Sequence, residues 1–281
     1  MAKIFSHSRL STFEQCKLKY KFRYLDKIIP EVEETIESHL GKTVHKTLEW
    51  LYSNVKEKNI PTIDEVITNY SENWKNDYSP DILIVRKDRG AGDYFNKGIA
   101  FLLNYYTEHH PFDDNTLDVE KEILIDLDEN GEYKIRGFID RLAYNIGTQE
   151  YEVHDYKTSN SLPTDEQIES DRQLAFYSIG VREIYGKDKR VKLIWHYLSF
   201  NKKIYSNRTD EQLENLKKET IEQIKEIEST YNFSPNKSSL CNWCEYKSIC
   251  PAWGNSFEKQ TKLGEFGFKI KENDVNGEEY N

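Results

Sequence analysis

Two carboxylates and a lysine stand close together in the middle of this sequence, within Gly137-Phe-Ile-Asp140 and Val153-His-Asp155-Tyr-Lys157. Both segments change residue character with a period of two. Ile135, Gly137 and Ile139 alternate with Arg136, Phe138 and Asp140, and Val153, Asp155 and Lys157 alternate with His154 and Tyr156. That period reads as β-strand. Side chains two apart on a strand share a face, so Asp155 and Lys157 point the same way. The intervening Tyr144-Asn-Ile-Gly147-Thr-Gln149 has turn chemistry. A hairpin closed there brings Asp140 beside Asp155, giving a pair of acids with an ammonium at their rim.

That set suits metal-assisted phosphodiester cleavage. Paired carboxylates hold hard divalent cations such as Mg²⁺ or Mn²⁺ through oxygen. Such a cation acidifies a bound water and offsets charge developing on phosphate. The lysine can position the attacking water or stabilise the extra negative charge. An Asp-x-Lys pair alone is far more often an ordinary solvated ion pair, so the reading depends on the rest of the chain.

The 281 residues could form one large domain or two small ones. No apolar run is long enough to span a membrane and no signal peptide opens the chain, which makes a soluble cytoplasmic protein without membrane contact the expectation. The net charge of −10 argues weakly against nucleic acid, but its distribution is uneven. Lys3, Arg9, Lys17, Lys19, Lys21, Arg23 and Lys27 are interleaved with Tyr20, Phe22 and Tyr24. That composition suits a surface tracking a nucleic-acid backbone, and equally an amphipathic helix with a charged face.

The elements that must position the acids follow from periodicity. Ser6 to Ser11 leads into a helix capped by Ser11 with Glu14, or by Ser8, and Cys16 falls inside it. Residues 30–40 read as an acidic loop. A helix begins at Gly41, with Val44, Leu48, Leu51, Tyr52 and Val55 on its apolar face and His45 beside them. As a ligand, His45 would tilt an oxygen site from Mg²⁺ towards Mn²⁺. Further helices are expected from Thr62 to Trp74 and from Ala91 to Tyr106, and His109-His110 reads as loop. From Leu117 the period becomes two: Val119 to Leu127, Tyr133 to Tyr144 and Tyr151 to Thr158 read as an antiparallel meander, with a hairpin at Asn130-Gly131. Glu120 and Glu122 read as sharing a face, with Glu122 the one that could orient the site and a solvated role the commoner case. Thr164 to Tyr185 reads as one helix with Gln173 and Tyr177 one turn apart. A buried strand from Arg190 to Phe200, a shorter partner from Lys202 to Asn207 and a long helix from Thr209 to Tyr231 complete the pattern. Residues 255–281 read as a polar tail.

Three of the four cysteines, Cys241, Cys244 and Cys250, follow the spacing C-x₂-C-x₅-C, and Cys16 is the fourth. Four thiolates make a complete soft shell for zinc or an iron–sulfur cluster, and the spacing fits either. If all four bind one centre, it ties the first helix to the end of the chain.

Ser8-Arg-Leu, Cys16 with Tyr20 and Tyr24, Gly41-x-x-x-His45-x-x-Leu-Glu49, Gly137-Phe-Ile-Asp140-Arg141, Asp155-Tyr-Lys157-Thr158, Gln173-x-x-x-Tyr177 and the cysteine cluster occur in one order over residues 6–252. In that order they resemble a RecB-type nuclease of the PD-(D/E)XK superfamily. The branch is the iron–sulfur one, which includes AddB nuclease domains and CRISPR-associated RecB-like exonucleases. The resemblance implies an α/β, restriction-endonuclease-like core with a mixed central sheet, in a single domain over residues 1–254 with a helical insertion at about 53–116. It implies metal ligation by His45, Asp140, Asp155 and the Tyr156 carbonyl, with Lys157 as catalytic lysine and Gln173 and Tyr177 supporting the site and contacting DNA. It also implies a structural four-iron four-sulfur cluster on Cys16, Cys241, Cys244 and Cys250. Lys17 departs from the proline frequent after the first cysteine, and the helical stretch is longer than in the smallest members.

The expected function is a Mn²⁺- or Mg²⁺-dependent DNA exonuclease acting on single strands or DNA ends, in repair or CRISPR adaptation. A DNA-end-binding or scaffolding module, and a zinc-stabilised nucleic-acid-binding protein, are the competing classes. The sequence holds no G-x-x-x-x-G-K-[S/T] loop, so unwinding would come from a partner such as a helicase, and a CRISPR integrase subunit is the other partner considered.

Overall fold

The structure, a computed structural model, describes residues 2–30, 32 and 34–254. The expected tail, residues 255–281, lies outside the described residues. A six-stranded mixed sheet forms the centre, ordered β1-β3-β4-β5-β6, with β2 on the other edge of β3. The strands are β1 Lys3–Ser6, β2 Thr116–Asp126, β3 Tyr133–Asn145, β4 Glu150–Lys157, β5 Val191–Tyr197 and β6 Lys202–Ser206. β2, β3 and β4 make the antiparallel meander expected from the period-two pattern, and Gly131 supplies a positive φ of 65° in its first turn. β1 runs parallel to β3, and β4 parallel to β5.

One edge of β3 is shared by two strands. Residues 133–136 pair with β1, and residues 141–145 pair with β4. The β3–β4 ladder stops at Arg141 opposite His154, while β4 runs on beside β5, with Asp155, Tyr156 and Lys157 opposite Trp195, His196 and Tyr197. The sheet therefore forks just after His154, and Asp140 and Asp155 occupy the two tines. Forking frees backbone groups that a continuous ladder would consume, and such groups need other partners.

The helices are α1 His7–Gln15, α2 Lys17–Tyr20 running into a π-helical turn Lys21–Leu25, α3 Ile36–Lys56, α4 Ile63–Asp77, α5 Ala91–His109, α6 Asp165–Glu169, α7 Gln173–Tyr185 and α8 Asp210–Ser229. They form two layers. Leu174 and Phe176 of α7, Leu10 and Phe13 of α1, and Ile224 of α8 pack with Ile123, Ile135, Ile139 and Leu193 of the sheet. Leu40, Val44 and Leu48 of α3, Tyr70 of α4 and Leu102 of α5 form a second core that includes Tyr156 and Leu198. The fold is thus α/β with helices on a mixed central sheet, as in restriction-endonuclease-like proteins.

Several boundaries differ from expectation for local reasons. α1 starts one residue after Ser6, whose side chain accepts the Arg9 N–H at 3.2 Å, so Ser11 lies inside the helix and caps nothing. Cys16 is extended, with φ −163° and ψ 110°, and separates α1 from α2. α3 begins at Ile36 under a Thr35 cap, five residues before Gly41. The expected helix from Thr164 breaks at residues 170–172 into α6 and α7. His109 closes α5 instead of lying in a loop, and its ring stacks on Tyr105 at 3.9 Å. β5 ends at Tyr197, and Leu198–Phe200 form a 3₁₀ turn.

The basic amino-terminal stretch is paired internally and does not form an open cationic track. Lys3 meets Glu228, Lys17 meets Glu226, Lys19 meets Glu245 and Lys21 meets Asp26. Tyr20 is buried, and Arg9 lies over the rings of Phe5 and Tyr24.

Candidate active site

The fork sets Asp140 and Asp155 together. The Tyr156 N–H, released from the ladder, donates to Asp140 Oδ2 at 2.9 Å. The Tyr156 carbonyl lies 2.6 Å from His45 Nε2, and His45 Nδ1 lies 3.3 Å from Asp140 Oδ2. His45 reaches the fork because the α3 face that buries Val44 and Leu48 lies over the sheet. On the face of β4 that carries Asp155, Lys157 Nζ donates to Asp155 at 2.8 Å and to Gln173 Oε1 at 3.0 Å, and Gln173 Nε2 donates to the Tyr177 hydroxyl at 3.1 Å. Two hydrogen-bonded sets result, one of His45, Asp140 and the Tyr156 backbone and one of Asp155, Lys157, Gln173 and Tyr177, joined along β4 and by the mutual influence of the Asp140 and Asp155 charges.

Glu120 joins them, and Glu122, the strand carboxylate that the sequence offers for orienting the site, does not. The register pairs Lys121 with Ile139 and Val119 with Arg141, so Glu120 stands on the rung of Asp140. Alternation slips on both strands at this rung. Ile123 and Ile139 face the α7 core, while Val119 packs against the α3–α5 core and Arg141 lies 4.0 Å from the Tyr52 ring of α3. Glu120 itself adopts a positive φ of 45°. Glu122 instead pairs with Arg136 at 3.1 Å on the surface. A turn centred on Asn130 already places residue 120 across from residue 140, and this count was the available signal.

The charges polarise one another. Burial pushes the Asp155 carboxyl up to about 6, partly opposed by Lys157 and reinforced by Asp140. Burial also works against ionisation of Asp140, yet the His45 charge and hydrogen bond and the Tyr156 N–H hold it below the usual carboxylate value. Burial opposes a charge on His45, but Asp140 and Asp155 raise its pKa to about 9. Glu120 rises to about 7 through burial and the Asp140 charge. Lys157 is raised, since Asp155 and Asp140 outweigh burial, which keeps it a cation and a donor.

The donor set fits a hard divalent cation. The ligand atoms of His45, Glu120 and Asp140 lie within 4.8 Å of one another, oxygen and imidazole donors suit Mg²⁺ or Mn²⁺, and clustered acids need a counter-charge. A cavity of about 270 Å³ opens beside Lys157, lined by Leu162, Pro163, Asp171 and Tyr197 among others.

The model of the PD-(D/E)XK nuclease superfamily matches residues 4–251. The chain belongs to that superfamily. Nucleases of the PD-(D/E)XK superfamily hydrolyse phosphodiesters with divalent cations, and the fork supplies this member with a candidate cation site. No curated protein matches the chain. A solved structure titled "Crystal structure of SSO0001" is 21% identical, covers 77% of this chain and 95% of its own, and has a TM-score of 0.38, too loose a likeness to carry an argument. No helix among the described residues is long and apolar enough to cross a membrane.

The four cysteines approach one another at the far side of α1. Asn236 donates its N–H to Cys16 Sγ at 3.4 Å and its side-chain amide to the Gln15 carbonyl at 2.9 Å, laying the carboxyl-terminal segment against the α1–α2 junction. Tyr246 and Ile249 pack with Ile28, and the Tyr246 hydroxyl donates to the Ile28 carbonyl. Burial raises the Cys250 thiol, with Cys16 and Cys241 adding to the shift. Among the described residues the sulfurs do not form a group within 4.8 Å of one another. One tetrahedral zinc, with Zn–S near 2.3 Å, needs thiolates about 3.8 Å apart.

Proposed function

We propose that this chain is a RecB-type, Mn²⁺- or Mg²⁺-dependent DNA exonuclease that works in the cytoplasm on single strands or DNA ends. The observation that carries the reading is the fork. It brings together two acids, an imidazole and a backbone carbonyl, with a lysine that Asp155 and Gln173 hold beside them. A divalent cation bound there would acidify a coordinated water and offset phosphate charge. Asp140, Asp155 and His45 would hold it, with the Tyr156 carbonyl as a further oxygen donor. Lys157, kept protonated by Asp155, would donate to the attacking water or to a non-bridging phosphate oxygen. Gln173 holds the Lys157 ammonium, and Tyr177 holds Gln173.

An action on ends or single strands is supported by the internal pairing of the amino-terminal lysines, which leaves the net charge of −10 without a long basic groove there. The cysteines would hold a four-iron four-sulfur cluster with a structural role. Four thiolate donors from the α1–α2 junction and the carboxyl-terminal segment support a bound centre of this kind. A helicase or a CRISPR integrase subunit would supply unwound or processed DNA, in repair or CRISPR adaptation.

The test is degradation of end-labelled single-stranded and duplex DNA with Mn²⁺, Mg²⁺ or chelator, comparing native protein with Lys157→Ala. Cation-dependent cleavage lost in the variant is expected. A folded, iron-loaded protein that binds DNA ends and cleaves nothing would point instead to an end-binding or scaffolding module.

A further inference from the structure

We propose that Glu120 is a further ligand of the divalent cation at the fork, reaching it from β2 beside His45 and Asp140. The proposal rests on the reading that the fork holds a cation, and it adds a residue from a strand outside the two that carry the acid pair and the lysine.

Three observations converge on Glu120. The first is distance: its carboxylate, the His45 imidazole and the Asp140 carboxylate offer donor atoms within 4.8 Å of one another. Ligands about 2.1 Å from one small cation sit roughly 3–4 Å apart, so a modest side-chain adjustment closes the set.

The second is backbone conformation. Glu120 takes φ 45° in the interior of a strand, while Val119 and Lys121 on either side keep their partners Arg141 and Ile139. The left-handed region is costly for a residue with a Cβ. Here it produces no turn, because β2 returns to its register at once. What it produces is the slip of face at the Asp140 rung, which sets this carboxylate beside Asp140. Unfavourable backbone geometry held by the surrounding structure is concentrated at functional positions.

The third is charge. Glu120 feels the charges of Asp140, Glu49 and Asp155, with His45 acting in the opposite sense. Four carboxylates against one imidazole leave a net repulsion, and a divalent cation converts that repulsion into coordination. Glu122, two residues along the same strand, shows the alternative: it is surface-exposed and already paired with Arg136.

The experiment is a Mn²⁺ titration of the full chain, with free Mn²⁺ read by electron paramagnetic resonance, together with melting curves with and without Mn²⁺. The variants are Glu120→Gln, Glu120→Gly and Glu122→Gln. Both substitutions at 120 are expected to weaken Mn²⁺ binding by at least about tenfold, while Glu122→Gln leaves it unchanged. Glycine accepts the positive φ and removes the repulsion. Metal-free Glu120→Gly should therefore melt at or above the native temperature and gain less from Mn²⁺. That combination distinguishes a ligand from a merely structural residue, and it guards against misfolding of the glutamine variant. Mn²⁺ affinity within about twofold of native in Glu120→Gly would overturn the proposal. So would a metal-free Glu120→Gly protein that melts well below native. Native protein that is folded yet binds no Mn²⁺ would overturn the cation reading beneath it, an outcome distinct from the other two.

Discussion

The Tyr177 ring occupies the space that any side chain at position 137 would need: a Cβ on Gly137 would stand 2.6 Å from Tyr177 Cε1. The glycine in β3 and the tyrosine in α7 are thus one fitted contact, and the Tyr177 hydroxyl at its end holds Gln173, which holds Lys157. Gly137→Ala should push the ring aside and cost about 1–3 kcal/mol by overpacking. Adding Tyr177→Leu to Gly137→Ala should recover much of that stability without recovering cleavage. Denaturant unfolding of the single and double variants checks the first part, and the end-labelled DNA assay the second.

The Lys157–Gln173 link predicts how activity is lost. Lys157→Ala removes the donor itself and is expected to lower kcat about 10²–10³-fold. Gln173→Ala leaves the lysine held by Asp155 alone, so a smaller fall of about 10–100-fold is expected, again in kcat with KM little changed. Steady-state kinetics on a labelled oligonucleotide separate the two. A rise confined to KM would assign Gln173 to binding alone.

Acid should loosen the fold through three histidines behind the site. His154 Nδ1 lies 2.9 Å from His196 Nε2 and accepts from Arg141 at 2.9 Å, and His109 packs beside His196. Burial lowers His109 to about 4, and burial together with Arg141 and neighbouring histidines holds His154 and His196 well below the ordinary value. Above about 6.5 these groups are neutral folded or unfolded and pH has no hold on them. As pH falls through 6.5, the unfolded chain takes up protons that the folded chain refuses, so their contribution is progressively lost down to about 4 and below. The raised Asp155 and Glu120 act in the opposite sense. The difference between native protein and His109→Gln isolates the histidine term, and the variant should show the shallower fall in melting temperature between pH 6.5 and 4.

If the cysteines hold one cluster, Cys250→Ala should lower bound iron and sulfide and release the segment after α8 from the α1–α2 junction. Because that segment is held to Cys16 through Asn236 and to Ile28 through Tyr246, metal loss should appear as faster proteolysis between residues 230 and 240 and a lower melting temperature. Iron analysis and timed digestion of native and variant protein are the measurements.

The acid–lysine pairing was legible because period two and one hairpin place Asp155 with Lys157 and bring Asp140 alongside. His45 was legible only as a histidine beside an apolar stripe. What remained hidden depended on departures from regularity. The slip at the Glu120–Asp140 rung reverses which residues face each core, and strand parity cannot announce it. The amino-terminal lysines looked like a nucleic-acid track because their partners, Glu226, Glu228 and Glu245, lie more than two hundred residues away. His109 ends a helix because its ring has Tyr105 and His196 to pack on, a tertiary circumstance absent from its own Pro-flanked neighbourhood.

The amino-terminal ion pairs bear finally on how the protein meets its substrate. A chain of net charge −10 whose first lysines are already neutralised approaches a polyanion against long-range repulsion, felt over about 10 Å at 0.1 M salt. At the fork, Lys157 and a bound cation would supply attraction over the last few ångströms. Encounter should accordingly quicken as moderate salt screens that repulsion, the reverse of the steering by which basic proteins find nucleic acid. A cation seated at the fork would serve in docking before it serves in chemistry.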